Sequence, residues 1–239
     1  MNTFNPITII LPTKNHEKSI YINIDKLYNF LENNFKDFQI LILSNGSTKE
    51  NISILSDKKF KNPKIDVVFL DQKGKGFAVR YGLINSRFDD VLIYDSDFSY
   101  NIELINEIYL DGQPISPFVT ATRVVNKELF NTLSFVRYVA GLTFNLIVRK
   151  YLNIKSKDTQ AGFKLISKKQ FTNCSQFISD DYLFDIELFI LSEKINLNRK
   201  EIKVYSLNSP LGSNINLFSD SIKMLKNLIQ IKKYYRVQS

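Results

Sequence analysis

Short apolar runs that break off into polar clusters recur along the first hundred residues, and this rhythm constrains the fold more than any other feature. Ile7 to Leu11 is closed by Pro12, and Phe38 to Leu43 leads into the turn Asn45-Gly46-Ser47. Ile65 to Leu70 is followed by Gly74-Lys75-Gly76, and Val91 to Tyr94 ends directly in Asp95-Ser96-Asp97. Runs of four to eight apolar residues bounded by turn formers read as buried strands. Between the first two, Ile20, Ile24, Leu27 and Leu31 recur at helical spacing up to Asn34. A helix near Leu55 and another after Gly76 complete the alternation. Four βα units with short connections predict an α/β domain with a mainly parallel sheet covered on both faces. Ligands of such sheets lie outside the carboxyl ends of the strands, which is where the polar clusters fall.

Beyond the fourth unit the alternation breaks. Phe118 to Ala121 is expected to be a fifth strand, Leu129 to Tyr151 a long amphipathic helix, and Phe163 to Ile166 a further strand. Leu183 to Ile195 reads as a helix, Ile202 to Tyr205 as a last strand, and Leu217 to Tyr235 as a basic amphipathic closing helix. No linker rich in Pro, Gly or Ser divides the 239 residues, so a single domain over 1–239 is expected. No apolar run approaches the roughly 20 residues of a spanning helix, and since the N-terminus runs straight into the first strand no signal peptide is expected. With one cysteine, Cys174, no internal disulfide can form, and the expected location is cytoplasmic. A single histidine, His16, rules out zinc sites built on paired histidines; its simplest place is a loop. Cys174 is most simply a small buried hydrophobe.

Net charge of +8 points to an anionic partner without choosing among nucleic acid, acidic lipid and phosphorylated small molecules. Asp95-Ser96-Asp97 narrows the choice. Two carboxylates at the end of an apolar strand need a cation or solvent to offset their repulsion, and Mg²⁺ or Mn²⁺ prefers such hard oxygens. A solvated turn is the plain alternative. Gly74-Lys75-Gly76, opening a helix that carries Arg80, could hold an anion or simply enter the helix. It matches neither a P-loop nor the dinucleotide fingerprint, since Val79 stands where the latter needs its third glycine. Asp158-Thr159-Gln160-Ala161-Gly162-Phe163-Lys164 gathers polar groups before a strand, the plain alternative being a loop capped by Asp158. Asp185 and Glu187, two apart within Phe184-Asp185-Ile186-Glu187-Leu188, point in different directions on a helix. At most one is expected to face a site while the other meets solvent.

Taken in order, these clusters resemble the family 2 glycosyltransferases of the GT-A (nucleotide-diphospho-sugar transferase) fold. The branch most similar is the one that glycosylates dolichyl and polyprenyl phosphates, of the dolichyl-phosphate β-glucosyltransferase type. Pro12-Thr13-Lys14-Asn15 matches the end of the family's first strand. Ser44-Asn45-Gly46-Ser47-Thr48 stands where two aspartates usually open the segment. Gly74-Lys75-Gly76-x-Ala78-Val79-Arg80 matches nearly letter for letter, and Asp95-x-Asp97 is the expected metal motif. Asp158 to Lys164 and Phe184-Asp185-x-Glu187-Leu188 point to the lipid-phosphate branch. His16 follows Asn15 where a glutamate is usual, and Gly212-Ser213-Asn214 lacks a lysine found in relatives.

The resemblance implies an inverting transfer of a hexose from a sugar nucleotide, UDP- or GDP-hexose, to a polyprenyl or dolichyl phosphate. Pro12, Thr13, Asn15, Glu17, Ser44 and Asn45 would hold base and ribose, with Lys75 and Ser96 close by. Asp97 would bind Mg²⁺ or Mn²⁺ directly, and Asp95, the other half of the metal motif, would contact ribose or a metal-bound water. A phosphate acceptor attacks without a base and needs cations, for which Arg123, Arg137 and Arg149 are the candidates. A sugar hydroxyl would need a carboxylate base, Asp158 or Asp185. Membrane contact is expected to be peripheral, at the cytoplasmic face, through the closing helix or an unseen partner; that helix packing on the sheet is the even alternative. A nucleotidyltransferase would carry its glycine-rich loop after the first strand, where this chain has Pro12 to Asn15. A nucleic-acid-binding module would not collect Asp95, Asp97, Asp158 and Asp185, because carboxylates repel phosphate.

Overall fold

The computed structural model describes residues 4–124, 143, 146–171, 177–204 and 227–235. Strands β1 (Ile7–Thr13), β2 (Phe38–Asn45), β3 (Ile65–Leu70) and β4 (Asp90–Tyr94) alternate with helices α1 (Glu17–Asn34), α2 (Lys49–Ile54) and α3 (Lys75–Asn85). A small hairpin, β5 (Tyr109–Leu110) and β6 (Gln113–Pro114), precedes β7 (Phe118–Arg123) and β8 (Phe163–Ser167). Helix α4 (Phe184–Lys194) and strand β9 (Arg199–Val204) follow, and 227–235 form a last helix.

Seven strands form one sheet in the order β3-β2-β1-β4-β8-β7-β9. β1 is parallel to both β2 and β4, and β3 is parallel to β2. The chain therefore leaves β1 in one direction for β2 and β3 and returns on its other side as β4. That reversal opens a crevice at the carboxyl ends of β1 and β4. β8 inserts antiparallel between β4 and β7, while β9 runs parallel to β7. The expected parallel sheet holds for the first half, and β8 interrupts it.

Alternation along the strands feeds two cores. Ile7, Ile9 and Leu11 face one side with Ile20, Ile24, Leu27 and Leu31 of α1, all fully or almost fully buried. Ile10 faces the other side with Val79 and Leu83 of α3, Phe184 and Phe189 of α4, and Leu228 and Ile231 of the last helix. Burial on both sides explains why the strands read as unbroken apolar runs.

Boundaries move modestly: β1 and β2 each extend to the polar residue past the apolar run, and β9 begins at Arg199 rather than Ile202. A 3₁₀ segment, Ile102–Ile108, and the β5–β6 hairpin were not foreseen. Of the long amphipathic helix, 146–152 are helical and most of the remainder lies outside the described residues. Arg137, Cys174, Gly212 to Asn214 and the first half of the closing helix also lie outside them.

Candidate active site

The side of the site at the ends of β1 and β2 is built first. Pro12 and Thr13 end β1 in the interior, and the chain turns at Asn15, whose φ is 62°. Asn is among the few side chains that tolerate this left-handed region. Its backbone N–H donates to Ser47 Oγ at 3.0 Å, and its Oδ1 accepts from Thr48 N–H at 2.9 Å. Asn15 thereby ties the loops after β1 and β2 together. Glu17, in the first turn of α1, is completely buried and accepts from Ser44 Oγ at 3.1 Å. A carboxylate is favoured at that helix end. Its Oε2, together with the Thr13 hydroxyl and His16 Nδ1, has no hydrogen-bond partner among the described residues. His16 is the last loop residue before α1, at its N-cap position, without capping through its side chain.

Asn45 is spent on the scaffold. Its Nδ2 donates to the Gln72 carbonyl at 2.5 Å and its Oδ1 accepts from Gly74 N–H at 2.6 Å. The glycines of Gly74-Lys75-Gly76 also serve a purpose that differs from an anion cradle. A β-carbon on Gly74 would run into the Asp180 carbonyl, and one on Gly76 into the carbonyls of Ser179 and Asp181. The close approach they permit is to the chain's own 179–181 segment, which Arg80 secures through Phe177 O and Asp180 Oδ1.

What this loop delivers is Lys75. Its Nζ lies 2.9 Å from Asp95 Oδ1 and 3.7 Å from Asp185 Oδ2. Asp185 Oδ1 lies 3.0 Å from Lys164 Nζ, which also donates to the Ala161 carbonyl. Lys164, Asp185, Lys75 and Asp95 thus form a chain of alternating charge running from beneath the sheet to the end of β4. Lys164 is completely buried and stands opposite Ile93 of β4, two residues before Asp95. Burial opposes the charge on Lys75, yet Asp95 and Asp185 outweigh it and hold the ammonium above the usual lysine range. Burial would raise the Asp95 carboxyl, but Lys75 overrides it and holds Asp95 low. For Lys164 burial dominates, with Lys75 acting in the same sense against Asp185, and its pKa is pushed down.

Asp95 is further fixed by Gly162. Its N–H donates to Gly162 O at 2.9 Å, and a β-carbon at Gly162 would fall on the Asp95 carboxylate. Gly162 N–H in turn donates to the Tyr100 hydroxyl at 3.0 Å. Ser96 is buried, and Asp97 is partly exposed, with Oδ1 accepting from Ser99 N–H at 3.0 Å. The Asp-x-Asp pair therefore follows directly on the end of β4, as the apolar run before it predicts.

Asp158 is engaged on both oxygens: Arg123 Nε donates at 2.6 Å and Arg123 Nη2 at 3.0 Å. Burial would raise this carboxyl, but the Arg123 bonds override it and hold it low. It also accepts from Gln160 N–H at 3.2 Å, as a loop cap would. The expectation for Asp185 and Glu187 fails in one respect, because neither meets solvent. Asp185 faces the two lysines, whereas Glu187 is completely buried and accepts from Ile178 N–H, Ser179 N–H and the Tyr235 hydroxyl at 2.9, 2.7 and 2.8 Å. Burial raises the Glu187 carboxyl against these bonds. Within 227–235 the apolar face packs on the domain through Leu228, Ile231 and Tyr235.

Arg149, half-buried in the 146–152 helix, has an Nε without a hydrogen-bond partner among the described residues. Lys164 and Tyr100 are the site residues that sequence reasoning passed over. The signal for Lys164 was present: a lysine inside the apolar run Phe163-Lys164-Leu165-Ile166.

The acidic pair suits a hard divalent cation only in part. Among the described residues no group of three or more His, Cys, Asp or Glu side chains could form a metal cage. Two carboxylates fit an ion that takes its remaining ligands from a substrate diphosphate and water.

A family model described as glycosyl transferase family 2 matches residues 8–171. Dolichyl-phosphate β-glucosyltransferase of Dictyostelium discoideum is 27% identical over 244 residues, covering 96% of this chain and 74% of that protein. The Saccharomyces cerevisiae protein of the same name is 27% identical over 250 residues, covering 96% and 75%. Among solved structures, glucosyl-3-phosphoglycerate synthase from Mycobacterium tuberculosis, in complex with Mn²⁺, uridine diphosphate and glucosyl-3-phosphoglycerate, superposes with a TM-score of 0.70. It is 17% identical, with 95% of this chain and 79% of that one covered. This likeness establishes the GT-A fold.

Proposed function

The chain belongs to glycosyl transferase family 2, and from that premise we propose that it moves a hexose, with inversion, from UDP- or GDP-hexose to a dolichyl or polyprenyl monophosphate. The observation that carries the choice of acceptor is the state of the two candidate bases. Asp158 is clasped by Arg123 and Asp185 lies between Lys75 and Lys164. Each is a poor acceptor for a hydroxyl proton. A phosphate monoester is already anionic at neutral pH and needs no base. The names of the relatives favour the same acceptor.

In this reading Thr13 and Glu17, each with a buried polar atom that has no partner among the described residues, line the nucleoside's side of the site beside Ser44 and the loops that Asn15 and Asn45 hold in place. Asp97 and Asp95 hold Mg²⁺ or Mn²⁺, which when bound offsets the charge of the leaving diphosphate. Lys75, held in its charged form beside Asp95, is placed to face the same diphosphate. Arg123, clasping Asp158 and half-exposed, and Arg149, half-buried on the 146–152 helix, orient the acceptor phosphate. Arg137 joins them as a proposal from sequence alone. Leu146, Ile147 and Tyr151 are exposed on the helix that carries Arg149 and suit a peripheral lipid contact. Among the described residues no helix is long and apolar enough to cross a membrane.

The test is transfer of a labelled hexose from UDP- and GDP-hexoses to a short polyprenyl phosphate, beside free sugars and glycolipids, with and without Mn²⁺. Transfer to the lipid phosphate is expected, lost in Asp97→Asn with the melting temperature unchanged. Arg149→Ala should lower kcat/KM for the acceptor by roughly 10-fold or more, one lost charge-assisted bond, and leave nucleotide binding intact. Transfer only to a sugar hydroxyl, abolished by Asp158→Asn or Asp185→Asn, would overturn the reading.

A further inference from the structure

Lys75 is shared unequally between two carboxylates, at 2.9 Å from Asp95 and 3.7 Å from Asp185. The nearer partner is the one the metal pair requires, so a cation arriving at Asp95 competes with an ammonium already bound there. A lysine displaced from its only counter-ion in a largely buried place would be left uncompensated. Here it is not. Asp185 is buried on the far side of Lys75, reached through a small movement of a flexible four-carbon stem. Asp185 alone would itself be an uncompensated buried charge, and Lys164, completely buried and 3.0 Å away, supplies its counter-charge. Neither Asp185 nor Lys164 reaches solvent or the strand end. Their burial costs free energy that a purely structural pair could avoid with apolar residues of similar size.

We propose that Lys75 has two berths, resting on Asp95 when the site is empty and shifting to Asp185 when Asp95 takes up the donor's cation, and that Lys164 is the positioning residue that maintains the second berth. The inference rests on the family reading and on the cation at Asp95 and Asp97, and it goes beyond both in assigning Asp185 and Lys164 to the control of Lys75 rather than to proton transfer. No bond is made or broken in the shift; one ammonium exchanges one carboxylate for another.

The experiment measures Mn²⁺ binding by electron paramagnetic resonance, with UDP and separately with GDP, and reads the fold by thermal melting. In Lys164→Met/Asp185→Asn one positive and one negative charge leave together, so net charge is kept and no buried ion is stranded. Lys75 then has only Asp95, and Mn²⁺ affinity is expected to fall roughly tenfold, within the usual range of coupling between neighbouring sites. Adding Lys75→Met removes the competitor, and Mn²⁺ affinity measured without nucleotide, so that a lost contact between Lys75 and the diphosphate does not enter, should return to at least the wild-type value. A merely structural role for the pair predicts no such rescue. If the double variant does not fold, Lys75→Met alone decides: Mn²⁺ affinity measured without nucleotide should rise, and a fall or no change would overturn the proposal. Unchanged affinity in a folded double variant, or a loss that Lys75→Met fails to rescue, would overturn it while leaving the family reading intact. Failure of the wild-type protein to bind Mn²⁺ with either nucleotide would instead remove the metal reading, and the two berths with it.

Discussion

Asp90 opens β4 at the edge opposite the active site, and its carboxyl shows how a single buried charge sets a pH dependence. Burial, assisted by the neighbouring Asp89, pushes it up to about 6, against a hydrogen bond from the Tyr109 hydroxyl. The folded state therefore binds this proton more tightly than the unfolded chain, whose carboxyl titrates near 3.8. The associated stability is complete below pH 3.8 and is lost as the pH rises through about 6. Near neutral pH Asp90 is thus a liability. Asp90→Asn keeps the shape and an acceptor for Tyr109 while removing the charge. The gain should be on the order of 1 kcal/mol after allowance for solvent screening, about 2–4 °C in melting temperature for a chain of this size. Melting of mutant and wild type at pH 4 and pH 7.5 checks it: a gain at pH 7.5 that vanishes at pH 4. Asp95 and Asp158 work in the opposite sense. Held low by Lys75 and Arg123 despite burial, they contribute stability above the ordinary aspartate pKa and lose it as the pH falls.

The last helix is held to the domain by polar ties as well as by Leu228 and Ile231. Tyr235 donates to Glu187, its carbonyl accepts from Lys194 Nζ at 2.5 Å, and Asn227 Nδ2 donates to Asp181 Oδ2 at 2.9 Å. Tyr235→Phe removes one donor and leaves Glu187 Oε2 bonded to Ile178 N–H. The expected cost is about 1–2 kcal/mol. Amide exchange should quicken over 227–235 and over 177–183, the segment Glu187 holds, with β1 to β3 unaffected. Uniform quickening across the sheet would show that the helix is not a separate latch. These ties also explain what could and could not be read from sequence. The βα units were legible because apolar runs and helical spacing are local, and so was Asp95-x-Asp97 at the end of its strand. The use of Gly74 and Gly76 was not, since the backbone they accommodate lies a hundred residues away. That Glu187 escapes solvent altogether was not legible either, because its three donors come from a loop and from the far end of the chain. Lys164 was passed over because its partner, Asp185, becomes a neighbour only when α4 packs beneath β8.

At the scale of the molecule the two cores share their strands. Ile9 and Ile10 are adjacent in β1 yet serve opposite cores, and Leu92 and Ile93 do the same in β4. β8 joins the halves through backbone pairing with both β4 and β7, and it carries Lys164 and ends the loop that fixes Asp95. A strand cannot lose one face while keeping the other, so loss of either core should release the whole sheet together with the active-site charges. A chain above about 150 residues often unfolds in stages, which gives the alternative real weight. Leu27→Ala, on the α1 side, should cost about 2–5 kcal/mol, and Phe189→Ala, on the α4 side, about 3–5 kcal/mol. Both residues are fully buried. Urea unfolding can be followed by far-ultraviolet circular dichroism and by tyrosine emission, which the absence of tryptophan leaves unobscured among 12 tyrosines. One transition is expected by both probes in all three proteins, displaced to lower urea by each substitution with the slope preserved. Two transitions, one moved by Leu27→Ala and the other by Phe189→Ala, would mean that the chain folds as two units joined by β8, and that the active site is assembled between them rather than on one rigid sheet.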